Sequence, residues 1–367
     1  MFEFTQSPRI KRSPFHEAIV EEGVKSFYPY NNMFLPTGYG NPEEEYWRLI
    51  NGVSMWDVAC QRQIEIKGPD SEKLTQVLCP RDLSKFSEGQ GKYIPICNHD
   101  GVIINDPVVL KHNNQKFWLS IADSNILFWS RAIANERKFD VQINEADASP
   151  LAVQGPNSEK VISSIFGDWI KAIKYHWFKE TIVEGIPVII ARSGWSKQGG
   201  YELYLLDHTK GNDLWNLVRE AGRAWDIGPG YPNVSERIES GLLSWGGDTD
   251  DTTNPFEVRL GKYLDLDLEE DVIGIKELRK IKKEGPKRHQ LGLILDDEQK
   301  YESHGIWYDI LSGGKKVGDM TCGVWSKRLE KNIGFALISV DYSSGNEVKV
   351  LKSNRKINAQ LVNLPFI

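Results

Sequence analysis

The sequence predicts an α+β fold that ends in a small all-β, barrel-like unit, and three observations carry that expectation. Strand and helix patterns mix without a regular βαβ rhythm. A strand, turn and helix pattern occurs twice. Beyond Gly285-Pro286 the helical periodicity stops and alternating segments separated by turns take over. In order along the chain, Arg62 to Ile66 alternates polar and apolar residues, Gly68-Pro69-Asp70 makes a turn, and Ser71 to Leu78 carries helical apolar spacing. Strand candidates follow at Val102 to Ile104, Val108 to Lys111 and Phe117 to Ile121, then a helix from Ile126 to Lys138. The first pattern returns at Leu151 to Val153, Gly155-Pro156-Asn157 and Ser158 to Ile165. IKGPDSEKLTQVL and VQGPNSEKVISSI therefore read as copies, an internal duplication near 62–78 and 151–165. Next come strand candidates Val188 to Ala191 and Tyr201 to Leu205, and helices near Asp213 to Trp225 and Val234 to Leu243. The charge run Lys276 to His289 reads as a helix leading into a boundary, giving expected domains at 1–285 and 286–367, with turns at Ser312-Gly313-Gly314 and Ser343-Ser344-Gly345 in the second.

Bulk composition narrows the function classes. A chain of 367 residues, 40% of them hydrophobic, can bury substantial cores. A formal net charge of -6 argues against nucleic acid or an acidic membrane surface as the main partner. The 14 Phe, 13 Tyr and 12 Trp suit pockets for flat rings or cations, although most such residues simply fill cores. Cys60, Cys79, Cys97 and Cys322 have no CxxC spacing and no His in a zinc-like arrangement, so reduced thiols and no metal are expected. The opening MFEFTQSPRIKRSPF has no apolar stretch after its positive charges, and the chain holds no 18-residue apolar run; a cytoplasmic location is expected.

Several signatures are absent. GWSKQGG, from Gly194 to Gly200, has the glycine spacing of a phosphate loop but lacks the Lys-Ser/Thr pair, which excludes nucleotide hydrolysis by that loop. No GxGxxG, GxSxG or HExxH occurs in a supporting context.

What stands out are GVIINDPVVL at Gly101 to Leu110, SGWSKQGGYELYL at Ser193 to Leu205 and ERIESGLLSWGGDTDDTTNPFE at Glu236 to Glu257. With WDVACQRQIEIKGPD, CPRDL, SPLAVQGP and PNVSERIESGLLSWG, the chain from about Ser13 to Leu278 resembles the glycine-cleavage T-protein (aminomethyltransferase) family. Within that family it is most similar to the tetrahydrofolate-dependent dimethylsulfoniopropionate demethylases. VGDMTCGVWSKRLEKNIGFAL, at Val317 to Leu337, follows the looser family pattern. The resemblance implies a three-subdomain cloverleaf with tetrahydrofolate, the methyl acceptor, in a central channel and a C-terminal β-barrel domain.

The resemblance also implies roles for individual residues. On residues alone, Asp106 is either an Asx turn ahead of Pro107 or a functional carboxylate; its match to the family's catalytic Asp places it beside the reactive edge of the pterin. Glu202 lies between Tyr201 and Leu203 in a period-two segment, so it faces opposite to both. The resemblance makes that side the folate channel, where a carboxylate accepts hydrogen bonds from the amino-pyrimidine edge. Tyr204 shares that face and is assigned to folate and to donor. Trp195, Ser120 and His176 are assigned to the donor, and Arg237 to the border of the folate. Aromatic faces would suit a sulfonium or quaternary ammonium donor.

The implied reaction is methyl transfer from dimethylsulfoniopropionate to tetrahydrofolate, giving methylthiopropionate and 5-methyltetrahydrofolate. The departures fall on the donor side: Asn32 where His is the family expectation, His176 after Tyr175 where an aromatic pair is expected, and Trp245-Gly246-Gly247-Asp248-Thr249 for Tyr-Gly-x-Asp-Met. A methylated amine such as a betaine, dimethylglycine or sarcosine, or a lipoyl-bound aminomethyl group, therefore stays open as the donor. A folate-binding regulatory protein without turnover is the rival outside enzymes, and the retained Asp106 counts against it. The expected partners are small molecules only, and the sequence leaves monomer or homodimer open.

Overall fold

The computed structural model describes residues 7–269, 271–301 and 306–367. Residues 1–6, part of the opening segment read above, lie outside them. The chain forms two compact units. One runs to Leu74 and takes in Phe86–Lys92 and Pro107–Asn233; the other consists of Thr75–Lys85, Tyr93–Asp106 and Val234–Ile367.

The first unit is built on two sheets. A six-stranded sheet has the order Phe178–Val183, Ile186–Ala191, Gly200–Leu205, Ser149–Gln154, Ser54–Asp57, Gly228–Gly230. All neighbours are antiparallel except the last pair. A five-stranded sheet has the order Gln142–Glu145, Gln63–Lys67, Lys116–Ser120, Val108–Asn113, Gln90–Tyr93. Strand Gly200–Leu205 is buried on both faces from Tyr201 onward, so neither face meets water. Tyr201, Leu203 and Leu205 join Leu151, Val153, Val188 and Ile190 in the main core, under Val161 and Ile162 of helix Ser158–Phe166 and Leu214, Trp215 and Val218 of helix Gly211–Ala221. Tyr204, on the other face, packs with Ile189 and Ala191 against Leu110 and Trp118 of the five-stranded sheet. Each such aliphatic side chain removed from water contributes about 1.5 to 3 kcal/mol, which makes this sandwich the stable floor for the polar residues set into it.

Both copies of the repeated pattern form a strand, a turn and a helix: Gln63–Lys67 with Ser71–Leu78, and Ser149–Gln154 with Ser158–Phe166. Each turns at a glycine with positive φ, Gly68 at 141° and Gly155 at 119°. A hairpin the sequence reading did not anticipate, Ser26–Tyr30 with Met33–Gly38, turns through Asn31 and Asn32 at φ of 49° and 58°. Two left-handed residues make the turn whose twist suits a hairpin, and Asn tolerates that conformation better than most residues.

In the second unit the helix expected over Val234 to Leu243 stops at Glu239. The Leu242 N–H reaches back to the Arg237 carbonyl at 2.8 Å and the Gly241 N–H to that of Ile238 at 3.1 Å, with Gly241 at φ +68°. This paired closure on a left-handed glycine ends a helix, and Gly241 is the signal. The charge run forms helix Ile275–Glu284, closed by Gly285 at φ +82°, and Arg288–Asp296 then opens a closed six-stranded barrel. The barrel order is Arg288–Asp296, Lys331–Ser339, Lys315–Ser326, Tyr308–Ser312, Glu347–Lys352, Arg355–Val362. Leu293, Ile310, Met320, Ile338, Val350 and Leu361 fill it. The α+β class and the terminal barrel are as the sequence indicates. Among the described residues no helix is long and apolar enough to cross a membrane.

Candidate active site

Alternation along Gly200–Leu205 sends Tyr201, Leu203 and Leu205 into the main core and sets Glu202 and Tyr204 side by side on the opposite face. The Glu202 carboxylate is buried, at 7% exposure. The Ser193 hydroxyl donates to its Oε2, and the Tyr204 hydroxyl donates to the same oxygen at 3.4 Å. The Tyr204 hydroxyl is also hydrogen-bonded to Ser120, whose Oγ accepts from Nε2 of Gln63 at 3.0 Å. Gln63, Ser120, Tyr204, Glu202 and Ser193 thus form one continuous polar strip on the first unit. Burial pushes the Glu202 carboxyl above the ordinary carboxylate range, and the two hydroxyl donors work against that rise. Burial, and then the neighbouring Glu202, raise the Tyr204 phenol.

This strip brings together three residues the sequence singled out, Glu202, Tyr204 and Ser120, and adds Ser193 and Gln63, which it missed. Ser193 opens the SGWSKQGGYELYL segment, but nothing in its spacing shows that its hydroxyl turns onto Glu202. Trp195 sits half-buried on the loop between Ser193 and Gly200. His176 is half-buried in a left-handed conformation at φ 60°, its ring 4.2 Å from that of Tyr175, and its N–H donates to the Arg192 carbonyl at 2.9 Å, at the root of the same loop. Asn32 is an exposed turn residue, and it is Asn31 beside it whose amide holds the Cys60 and Ala122 carbonyls, at 3.0 and 3.1 Å.

Asp106 belongs to the second unit, in the two-residue gap after strand Ile103–Asn105. The Tyr93 hydroxyl donates to its Oδ2 at 2.8 Å. The carboxyl is partly accessible but closely surrounded. Desolvation pushes it up to about 7; the Tyr93 bond opposes this, and the charge of Asp248 adds to it. Such a group changes protonation near neutrality, where a proton acceptor is most useful. Arg237, also in the second unit, is 5% exposed, and its Nη1 donates to Oδ2 of fully buried Asp248 at 2.6 Å and to the Leu242 carbonyl at 3.3 Å. Asp248 accepts further bonds from the Ser244 N–H at 2.9 Å and the Thr321 hydroxyl at 3.1 Å. Burial works against the Arg237 charge, and the Asp248 carboxylate outweighs it. Arg237 is thus held in a buried ion pair with Asp248.

Among the described residues no group of three or more His, Cys, Asp or Glu side chains is placed to hold a metal ion. The four cysteines are all buried, and no disulfide joins them.

Residues 15–268 match the GCVT N-terminal domain, and residues 288–367 match the glycine cleavage T-protein C-terminal barrel domain. The chain belongs to the glycine-cleavage T-protein family, and it is a one-carbon transferase that uses tetrahydrofolate as co-substrate. It is 36% identical to the dimethylsulfoniopropionate demethylase of Ruegeria pomeroyi, over 96% of this chain and 97% of that one. It is 30% identical to the aminomethyltransferase of Halothermothrix orenii, over 98% and 100% of the two chains. The crystal structure of the glycine cleavage system aminomethyltransferase T from Bartonella henselae shares the fold, with a TM-score of 0.84 over 98% of each chain at 20% identity.

Proposed function

We propose that this protein demethylates dimethylsulfoniopropionate, moving the methyl group to tetrahydrofolate and releasing methylthiopropionate. The observation that carries the acceptor half is the Glu202 carboxylate: both of its side-chain donors fall on Oε2. Oε1 has no protein donor among the described residues. A buried carboxylate with one open oxygen fits the N–H edge of an amino-pyrimidine ring. Bound tetrahydrofolate supplies the nucleophilic N5, whose lone pair forms the new C–N bond as the C–S bond breaks toward sulfur. Asp106 orients that nitrogen, offsets the positive charge that develops there and takes the proton it loses. Arg237 borders the anionic end of the folate in this reading.

On the donor side, Trp195 faces the sulfonium, where an aromatic face contributes about 0.5 to 2 kcal/mol toward a cation, and Tyr204, whose ring is packed between the sheets, acts through its hydroxyl. Ser120 and His176 hold its carboxylate end. The methyl group on a positively charged sulfur is already activated, so the residues contribute position and desolvation. The support for the sulfonium is the 36% identical relative named as its demethylase. His176, a departure from the demethylase pattern, favours the second reading, a methylated amine such as dimethylglycine, sarcosine or a betaine, or an aminomethyl group. We also read residues 1–285 and 286–367 as separate domains, the first with a duplicated core, and place the protein in the cytoplasm.

The test is a donor panel with enzyme and tetrahydrofolate, following 5-methyltetrahydrofolate by chromatography. Product from dimethylsulfoniopropionate alone supports the proposal. Product only from a methylated amine overturns the donor and keeps the acceptor.

A further inference from the structure

The segment Gly194 to Gly200, whose glycine spacing imitates a phosphate loop, is wrapped around one buried amide. Gln154 ends strand Ser149–Gln154, opposite Gly200, and is fully buried, at 0% exposure. Its Nε2 donates to the Ser193 carbonyl at 3.1 Å and the Tyr201 carbonyl at 3.4 Å, and its Oε1 accepts from the Ser196 hydroxyl at 2.8 Å. The side chain therefore grips the loop at both ends and near its middle. Its closeness explains the glycines: a Cβ at Gly194 (φ +153°) would lie 2.1 Å from the Gln154 amide, and one at Gly200 (φ +159°) 2.3 Å. The next residue adds a backbone bond, Gly155 N–H to the Gly199 carbonyl at 2.9 Å. In the first copy of the repeat, IKGPD places Lys67 where VQGPN places Gln154, and Lys67 is exposed. The amide is thus a feature of the second copy alone. Only a group with both a donor and an acceptor end meets this set of partners.

We propose that Gln154 is a positioning residue for the transfer reaction: it fixes loop Ser193–Gly200 so that Ser193 is held on Glu202 and Trp195 is presented to the donor. The catalytic half of this statement rests on the function proposed above; the clamp itself does not. Hydrogen–deuterium exchange of the full-length protein, without ligand, tests the clamp. In Gln154→Met, residues 193–199 exchange about tenfold faster while strand Ile186–Ala191 and the barrel are unchanged, since at least one net hydrogen bond to the loop is lost. Unchanged loop exchange in the folded variant overturns the clamp. Should Gln154→Met not fold, Ser196→Ala removes the bond to Oε1 together with the weaker one that the Ser196 hydroxyl accepts from the Gln198 N–H at 3.4 Å. A rise of about threefold in exchange at loop amides other than Gln198 supports the clamp there, and no rise at them overturns it.

Tetrahydrofolate titration supplies the second readout, with affinity about tenfold weaker in Gln154→Met than in the wild type. In Gln154→Glu the carboxylate cannot donate to the Ser193 carbonyl. Its folate affinity recovers as pH falls and the acid form regains one donor, a rescue that space-filling alone does not give. Absence of that recovery overturns the positioning role. Faster loop exchange with wild-type folate affinity supports the clamp and overturns the positioning role, whereas a Glu202→Gln variant with wild-type affinity overturns the folate contact on which that role rests.

Discussion

Replacing Glu202 with Gln tests the folate contact with the smallest change of shape. In the wild type Oε2 takes the Ser193 and Tyr204 hydroxyls, and the proposed function gives Oε1 to the folate. An amide cannot serve both sides in the same way. With its oxygen at the Oε2 position, its NH2 group meets the N–H edge of the ring donor to donor. Turned over, it forces both hydroxyls to reverse and accept. Either way one charge-assisted hydrogen bond is lost, about 1.5 to 3 kcal/mol, which at 1.4 kcal/mol per decade is roughly a 12- to 140-fold weaker Kd for tetrahydrofolate. Titration calorimetry reads it directly, and thermal unfolding of the free variant checks that the fold is kept. The free protein should lose no stability, because burial already raises the Glu202 carboxyl and a neutral amide avoids that desolvation. A Kd within threefold of wild type in the folded variant refutes the assignment.

Asp106→Asn is expected to bind tetrahydrofolate with little change and to lose at least about 100-fold in kcat, checked by single-turnover methyl transfer. The same substitution raises stability at neutral pH. The folded carboxyl is pushed up to about 7 from an ordinary 3.8, so the native state holds the extra proton and wild-type stability falls as pH rises through that window; denaturant titrations at pH 5 and 8 measure the difference. Wild-type turnover should rise with pH around 7 as Asp106 ionises. Tyr93→Phe removes a bond that favours the ionised form and moves that limb to higher pH. Arg237→Met leaves Asp248 buried without its cation and costs about 3 to 5 kcal/mol in urea unfolding; a loss under about 1 kcal/mol rules out the pair as a structural element of the second unit.

Most elements were legible because hydrophobic period and glycine position are local signals. The repeated GP turns, the Gly285 stop and the Gly313-Gly314 turn each mark a boundary without reference to the rest of the chain. Gly241 is an equally local signal, and it ends the helix from Val234 at Glu239, short of the Leu243 that apolar spacing alone indicates. The burial of Glu202 was less legible: alternation placed it opposite Tyr201 and Leu203, but one strand cannot reveal that a second sheet covers its far side. Partnerships across long separations were not legible at all. Gln63 with Ser120, Tyr93 with Asp106 and Arg237 with Asp248 are 57, 13 and 11 residues apart, and no spacing rule joins them. Only the resemblance carries Asp106 from an Asx turn to a candidate catalytic carboxylate beside the pterin.

Strand Gly200–Leu205 carries main-core residues and the polar strip on alternate positions. A slip of one position in its pairing with Ser149–Gln154 would turn Glu202 and Tyr204 into the aliphatic core and expel Tyr201, Leu203 and Leu205 from it. A slip of two positions would keep the faces but displace the polar strip by about 7 Å, and it would also take Gly200 away from its place opposite Gln154. Core burial in this sheet therefore selects against every odd slip, so the packing that stabilises the strand also sets the side on which the carboxylate stands.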